Sequence, residues 1–387
     1  MKNQKLLLMV MAGVLALIVA VFTVTAADSD TKSVSEKKVV GYYGGWAAYS
    51  GFDVLDIEAE KLTHLNYAFA KISDDGKVAL GNPEVDVENL KQLQKLKAQH
   101  PDLRTLISVG GWSHSENFSD VAATEASRKA FADSTVTFIE EHGFDGIDID
   151  WEYPVSGGES DNKHRPEDKE NFTKLMEEIR KQLDQHEQQT GKKYTLTIAG
   201  AASTSFLEKT EMAQLVSHVD FINLMTYDIN GQWYKKTGHN APLYTTSGDA
   251  PNKWSAEDTV NAYFNAGVPK EKMVLGIPFY GRKYDAVTPL NNGLHQPFVL
   301  DGGSVTYDGI KDKHLNKEGY KRFMDDETKV PYLWNGTSFI SYEDPESIQH
   351  KTDYIQTENL GGAMVWELSH DRKGVLLKAV YDGLQPE

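Results

Sequence analysis

The sequence predicts an α/β fold: a (β/α)8 TIM barrel with a small α+β insertion domain between its seventh and eighth strands. Three observations predict it. Eight short runs rich in apolar, β-branched and aromatic residues recur along the chain. Segments with helical spacing of apolar residues stand between most of them, which implies a parallel sheet, and eight strands close a barrel. One interval, from Arg282 to about Leu360, is far longer than a single strand–helix unit requires.

In chain order the strand-like runs are Val39–Gly44, Leu62–Ala70, Arg104–Gly110, the acidic "DGIDIDWEY", Tyr194–Ala202, Val219–Asp228, Met273–Gly281 and Gly361–Leu368. The clearest helical segments between them are Val87–Gln99, Ala123–His142, Glu167–Gln189, Ser205–Val216 and Ser255–Ala266, with Ser255 as a capping residue. The long interval holds the short aromatic runs "SVTYDGI", "VPYLWN" and "SFISYED" and a last helix near Pro345–Ile355. This divides the chain into a leader (1–26), barrel strands one to seven (27–282), the insertion (283–358) and the barrel's completion (359–387).

At 387 residues the chain can bury a sizeable core. Its formal net charge of -17 argues against nucleic acid and anionic membrane surfaces as partners, because phosphate binding needs clustered Lys and Arg. A neutral or cationic substrate is favoured, and a monomer is expected. The chain has no cysteine, so neither disulfides nor thiol chemistry can contribute. Lys2 and Lys5 precede an apolar run from Leu6 to Val24, followed by the small-residue sequence Val24-Thr25-Ala26. That is the pattern of a secretory signal peptide cleaved near Ala26; an uncleaved membrane anchor is the other reading.

The acidic run carries the chemistry. Side chains alternate along a strand, so Asp148, Asp150 and Glu152 share one face and point into the barrel, roughly 6.5–7 Å apart. Ile147, Ile149 and Trp151 point outward to the helices, and Asp145, out of phase, ties down the strand entry. Stacked carboxyls in a semi-enclosed mouth cannot all ionise near neutral pH. Glu152, at the C-terminal rim beside Trp151 and Tyr153, is best placed to stay protonated and serve as a general acid. A buried ion-pair network and a divalent metal site are the competing readings. No Arg or Lys lies nearby in the strand, and the spacing does not suit a calcium loop, so no metal or other cofactor is expected.

"DGIDIDWEYP" fits the DxxDxDxE signature of glycoside hydrolase family 18, the chitinases and their relatives. "SVGG" at Ser108–Gly111, "MTYD" at Met225–Asp228, "GIPFYGR" at Gly276–Arg282 and "GGAMVWEL" near the C-terminus also resemble family motifs, in the family's order. The insertion resembles that of the bacterial chitinase branch. The resemblance implies a secreted, retaining enzyme that cuts β-1,4-linked N-acetylglucosamine in chitin and chito-oligosaccharides. In such enzymes the substrate's own acetamido oxygen attacks the anomeric carbon.

The resemblance also implies roles. Glu152 would protonate the leaving oxygen and later activate water. Asp150 would orient the acetamido N–H, and Asp148 would share a proton with Asp150. Tyr227 would donate its hydroxyl where charge develops on the acetamido oxygen. Met225 would pack on the acetyl methyl or belong to the core, while Asp228, Tyr280 and Arg282 would line the sugar site. Carbohydrate clefts use aromatic platforms against the apolar faces of sugars. Trp366 would floor the subsite on the non-reducing side of the cut, and Trp112 and Trp233 would serve the leaving side. Tyr42, Phe69 and Trp46 are further candidates, and Gly110 and Gly111 would allow close backbone approach near the acids. His370 and Met324 depart from the commoner family residues. The same chemistry would also suit an endo-β-N-acetylglucosaminidase or a peptidoglycan-lytic relative. A non-catalytic chitin-binding lectin would be expected to lack the acid found at Glu152.

Overall fold

The computed structural model describes residues 37–385. The expected leader and its expected cleavage site lie outside these residues. Strand β1 (Lys38–Gly44) pairs in parallel with β2 (His64–Ile72), which turns back through a short antiparallel partner, β3 (Val78–Leu80). The sheet continues through β4 (Arg104–Gly110), β5 (Gly146–Asp150), β6 (Thr195–Ala201), β7 (Phe221–Met225) and β8 (Met273–Pro278). A later strand, Gly362–Trp366, pairs with both β8 and β1, so eight parallel strands close into a barrel.

β5 is short and buried on both faces. Its Ile147 and Ile149 join the helix-facing core, and Trp151, just beyond it, stacks on Phe118 at 5.3 Å and meets Phe172 edge-on. The inner face is left to Asp148 and Asp150. Asp145 accepts from the Thr105 N–H at 2.8 Å and pairs with Lys97 at 2.8 Å, which locks the strand entry to its neighbours.

Two expected elements differ. The helix expected over Ser205–Val216 is two short helices, Thr204–Glu208 and Met212–Leu215. The first ends where the Lys209 N–H turns back to Phe206 O, and the Thr210 hydroxyl also takes that carbonyl. The run Met273–Gly281 is likewise not one strand. The chain leaves the barrel after Pro278, where the Phe279 N–H bonds Trp366 O, and β9 (Tyr280–Asp285) enters a separate antiparallel sheet.

That sheet adds β10 (Leu300–Thr306), β11 (Lys321–Asp325), β12 (Val330–Trp334) and β13 (Phe339–Ser341), in the order β10-β9-β13-β12-β11. Tyr284, Val287, Leu294, Tyr332, Trp334 and Phe339 form a small core of its own. The helix Pro345–Thr357 returns to pack on the barrel's last helix, Val375–Leu384. The last barrel strand, Gly362–Trp366, is β14.

Candidate active site

The C-terminal ends of the barrel strands open into a cleft of about 1150 Å³. Asp150 and Glu152 line its floor, with Tyr227 and Met225 beside them. Asp148 lies beneath, fully buried. Its Oδ2 accepts from the Tyr42 and Ser108 hydroxyls, both at 2.7 Å. Its Oδ1 accepts from Thr197 Oγ1 at 2.6 Å and Asn223 Nδ2 at 3.2 Å. Burial pushes the Asp148 pKa up, and these four donors oppose it.

Asp150 is the opposite case. Among the described residues nothing donates to its Oδ1. Burial, then the charges of Glu152 and Asp148, push its pKa well above the usual carboxylate range. Glu152 is raised to about 7, chiefly by burial and in smaller part by the Asp228 charge, against the pull of the Tyr153 hydroxyl. Among the described residues no Lys, Arg or His forms an ion pair with any of the three carboxylates. Of the three, Asp148 has the most donors to hold a negative charge, while burial and mutual repulsion favour a proton on the Asp150–Glu152 pair. Those protons titrate as a property of the pair.

The backbone that presents Glu152 is held independently of its carboxyl. The Glu152 N–H donates to Ser115 Oγ at 3.0 Å, and its carbonyl accepts from Asn162 Nδ2 at 2.7 Å. Gly110 lies opposite Asp150 in the sheet register, with a positive φ of 107°. A Cβ there would fall 2.2 Å from Asp150 O, and one on Gly111 would fall 2.6 Å from the Phe69 ring. Both glycines thus let strand β4 end close against the acid strand.

The aromatic residues sort into two groups. Trp366 contacts Tyr42 edge-on at 5.5 Å, stacks on Phe69 at 5.7 Å and meets Trp46 at 6.2 Å. Tyr42 is buried below this cluster and reaches Asp148 rather than the cleft. Trp112 and Trp233 stand about half exposed on the cleft wall, at 49% and 51%.

Asp228, in a left-handed conformation (φ 55°), lies past the end of β7 rather than within it. Its Oδ1 collects the Tyr280 hydroxyl at 2.6 Å and Arg282 Nε and Nη2 at 3.0 and 2.5 Å. The Arg282 guanidinium also lies over the Trp233 ring at 5.1 Å. Tyr280 and Arg282 come from the antiparallel sheet, so that sheet builds one wall of the cleft.

All the residues expected at the site fall in or directly beneath this one cleft. Asp148, Tyr42, Gly110 and Gly111 support it from below or behind, and the others line it. Sequence reasoning missed Gln232, Tyr234 and Asn252, which share an irregular segment with Trp233, and also His114 and Lys209. Irregular segments carry no periodicity, and proximity to Trp233 and Trp112 was the only signal.

The family model "Glycosyl hydrolases family 18" matches residues 38–371. Chitinase A1 of Niallia circulans is 41% identical over 94% of this chain, and the matched region spans 60% of that protein's length. A family 18 N-acetylglucosaminidase from Paenibacillus barengoltzii superposes with a TM-score of 0.83 at 39% identity, covering 90% of this chain and 99% of that one. Chitinase ChiA74 from Bacillus thuringiensis gives 0.86 at 38% identity, covering 90% of this chain and 70% of that one. The barrel, the acidic row on and just past its fourth strand and these matches agree: the chain belongs to family 18 of the glycosyl hydrolases.

Proposed function

We propose that this protein is a secreted chitinase acting as a monomer on β-1,4-linked N-acetylglucosamine, by a retaining mechanism in which the substrate's acetamido group is the nucleophile. The observation that carries the reading is the graded acid row: Asp148 satisfied by four donors, Asp150 with none on Oδ1, and Glu152 raised to about 7 at the cleft floor. Glu152 is the general acid and then the base. Asp150, carrying or releasing a proton against Asp148, holds the acetamido N–H as the oxazolinium-like intermediate forms. Tyr227 supplies a hydroxyl to the acetamido oxygen, and Trp366 supports the sugar whose bond is cut. Secretion rests on the basic, apolar and small-residue pattern of residues 1–26.

The test is product analysis of residues 27–387 with N-acetylglucosamine hexamer and, separately, a high-mannose glycopeptide. Chitinase action predicts hexamer cleavage to shorter oligosaccharides with retained β configuration at the new reducing end. Cleavage of the glycopeptide alone would replace the reading with an endo-β-N-acetylglucosaminidase. Release of monomer only would align it with the activity named for the Paenibacillus relative. Tight hexamer binding without cleavage would make it a lectin.

A pH profile follows from the same row. Glu152 must be protonated to act, and its pKa in the free protein is about 7. The hexamer is uncharged, so the profile of kcat/KM reports the enzyme's groups. We expect kcat/KM to fall about tenfold per pH unit above roughly pH 7. A limb beginning near pH 4.5, the ordinary value for a glutamic acid, would contradict the buried-acid account.

A further inference from the structure

Trp112 stands half exposed on the cleft wall, and its indole N–H donates to Glu159 Oε1 at 2.5 Å. The segment bearing Glu159 is fixed against the proposed acid. Asn162 Nδ2 donates to the Glu152 carbonyl at 2.7 Å, and a Cβ on Gly158 would fall 1.9 Å from that same oxygen. Glu159 is therefore held one residue from a point where the backbone touches Glu152. It is exposed, and among the described residues its carboxylate forms no ion pair and its Oε2 receives no donor. Lys163 pairs with Asp120 and Arg282 with Asp228, while Lys209, which also lines the cleft, bonds the neutral Ser156 hydroxyl.

An aromatic platform alone holds a neutral or a cationic sugar by its apolar C–H face. A sugar whose 2-amino group is free and protonated would also use an anion at the platform's edge, since its ammonium can meet the carboxylate while its C–H face lies on the indole, and the ring itself attracts a cation. We propose that Trp112 and Glu159 together form a subsite that selects glucosamine over N-acetylglucosamine, so that partially deacetylated chitin is a preferred substrate. The inference rests on the chitinase reading given above. Under that reading the sugar whose bond breaks must keep its acetamido group, because that group is the nucleophile. Selection for a free amine therefore falls on the other side of the cut, where Trp112 serves the leaving fragment.

The experiment digests partially N-acetylated chitosan at mildly acidic pH, where the amines carry their protons, and sequences the products by mass spectrometry. The readout is the glucosamine fraction at the new non-reducing ends, relative to its fraction in the polymer. We expect enrichment with the wild-type protein. Glu159→Gln, which keeps an oxygen for the Trp112 N–H but removes the charge, should lower it about two- to fivefold, the range an exposed ion pair supplies. Added salt should weaken the wild-type enrichment in the same direction. Glu141→Gln makes the same charge change on an exposed helix position and should leave the enrichment intact. No enrichment with wild type, or equal enrichment in Glu159→Gln, overturns the subsite while hexamer cleavage still upholds the chitinase reading. Failure to cut hexamer and chitosan alike overturns both.

Discussion

Glu152→Gln is expected to lower kcat on N-acetylglucosamine hexamer by about a thousandfold, the range general acid catalysis contributes, with little change in KM. The glutamine keeps the volume of the side chain but has no proton to give the leaving oxygen. The backbone at this position is held by Ser115 and Asn162 and not by the carboxyl, so the substitution leaves the main chain in place. The same variant should be more stable than wild type above about pH 7. The sign follows from linkage. Glu152 binds its proton more tightly folded than unfolded, so the wild-type fold is favoured at low pH and loses stability as pH rises from the unfolded value toward 7. Glutamine has no charge to bury, and the gain at high pH should be on the order of 3 kcal/mol. Urea titrations of both proteins on either side of pH 7, with steady-state kinetics, check the two halves together. Residual activity within tenfold of wild type would remove Glu152 from its role.

What was legible in the sequence follows from what local patterns encode. The period-two alternation of "DIDWE" separates Asp148, Asp150 and Glu152 from Ile149 and Trp151, and the structure puts the two sets on opposite sides of the strand. The eight runs were visible because strands covered on both faces read as continuous apolar stretches. For the same reason "MVLGIPFYG" hid the point where the chain leaves the barrel: an apolar run does not say which sheet each residue joins. Tyr280 and Arg282 were thus expected in the cleft but on the wrong strand.

The turn "SDDGK" is a local signal for the β2–β3 hairpin. Other features had no local signal. Lys351 sits in a polar helical stretch, yet it is fully buried, bonding Glu343 at 2.6 Å and Ala241 O at 2.8 Å. Nothing in "SIQHKTDY" distinguishes that lysine from a solvated one, because its partners lie in other elements. Glu159 is a similar case, one acid in a polar loop whose meaning depends on Trp112, 47 positions away in the chain.

Asp148→Ala is expected to destabilise the fold by about 3 kcal/mol, and Asp148→Asn by much less. The carboxylate is fully buried and is the common acceptor for Tyr42, Ser108, Thr197 and Asn223. Alanine leaves these donors facing a cavity in the middle of the barrel, and buried unsatisfied polar groups are costly. Asparagine can keep its oxygen toward the Thr197 hydroxyl and the Asn223 NH2 group, which can only donate. Its own NH2 then faces Tyr42 and Ser108, whose hydroxyls can turn to accept. Equilibrium denaturation in urea orders the three proteins, and an alanine variant within 1 kcal/mol of wild type would contradict the common-acceptor role. The asparagine variant also isolates the electrostatic part of the row. It removes one of the two charges that raise the Asp150 pKa, leaving burial and Glu152. The kcat/KM limb near pH 7 should move little, because Asp148 is not among the causes that raise Glu152.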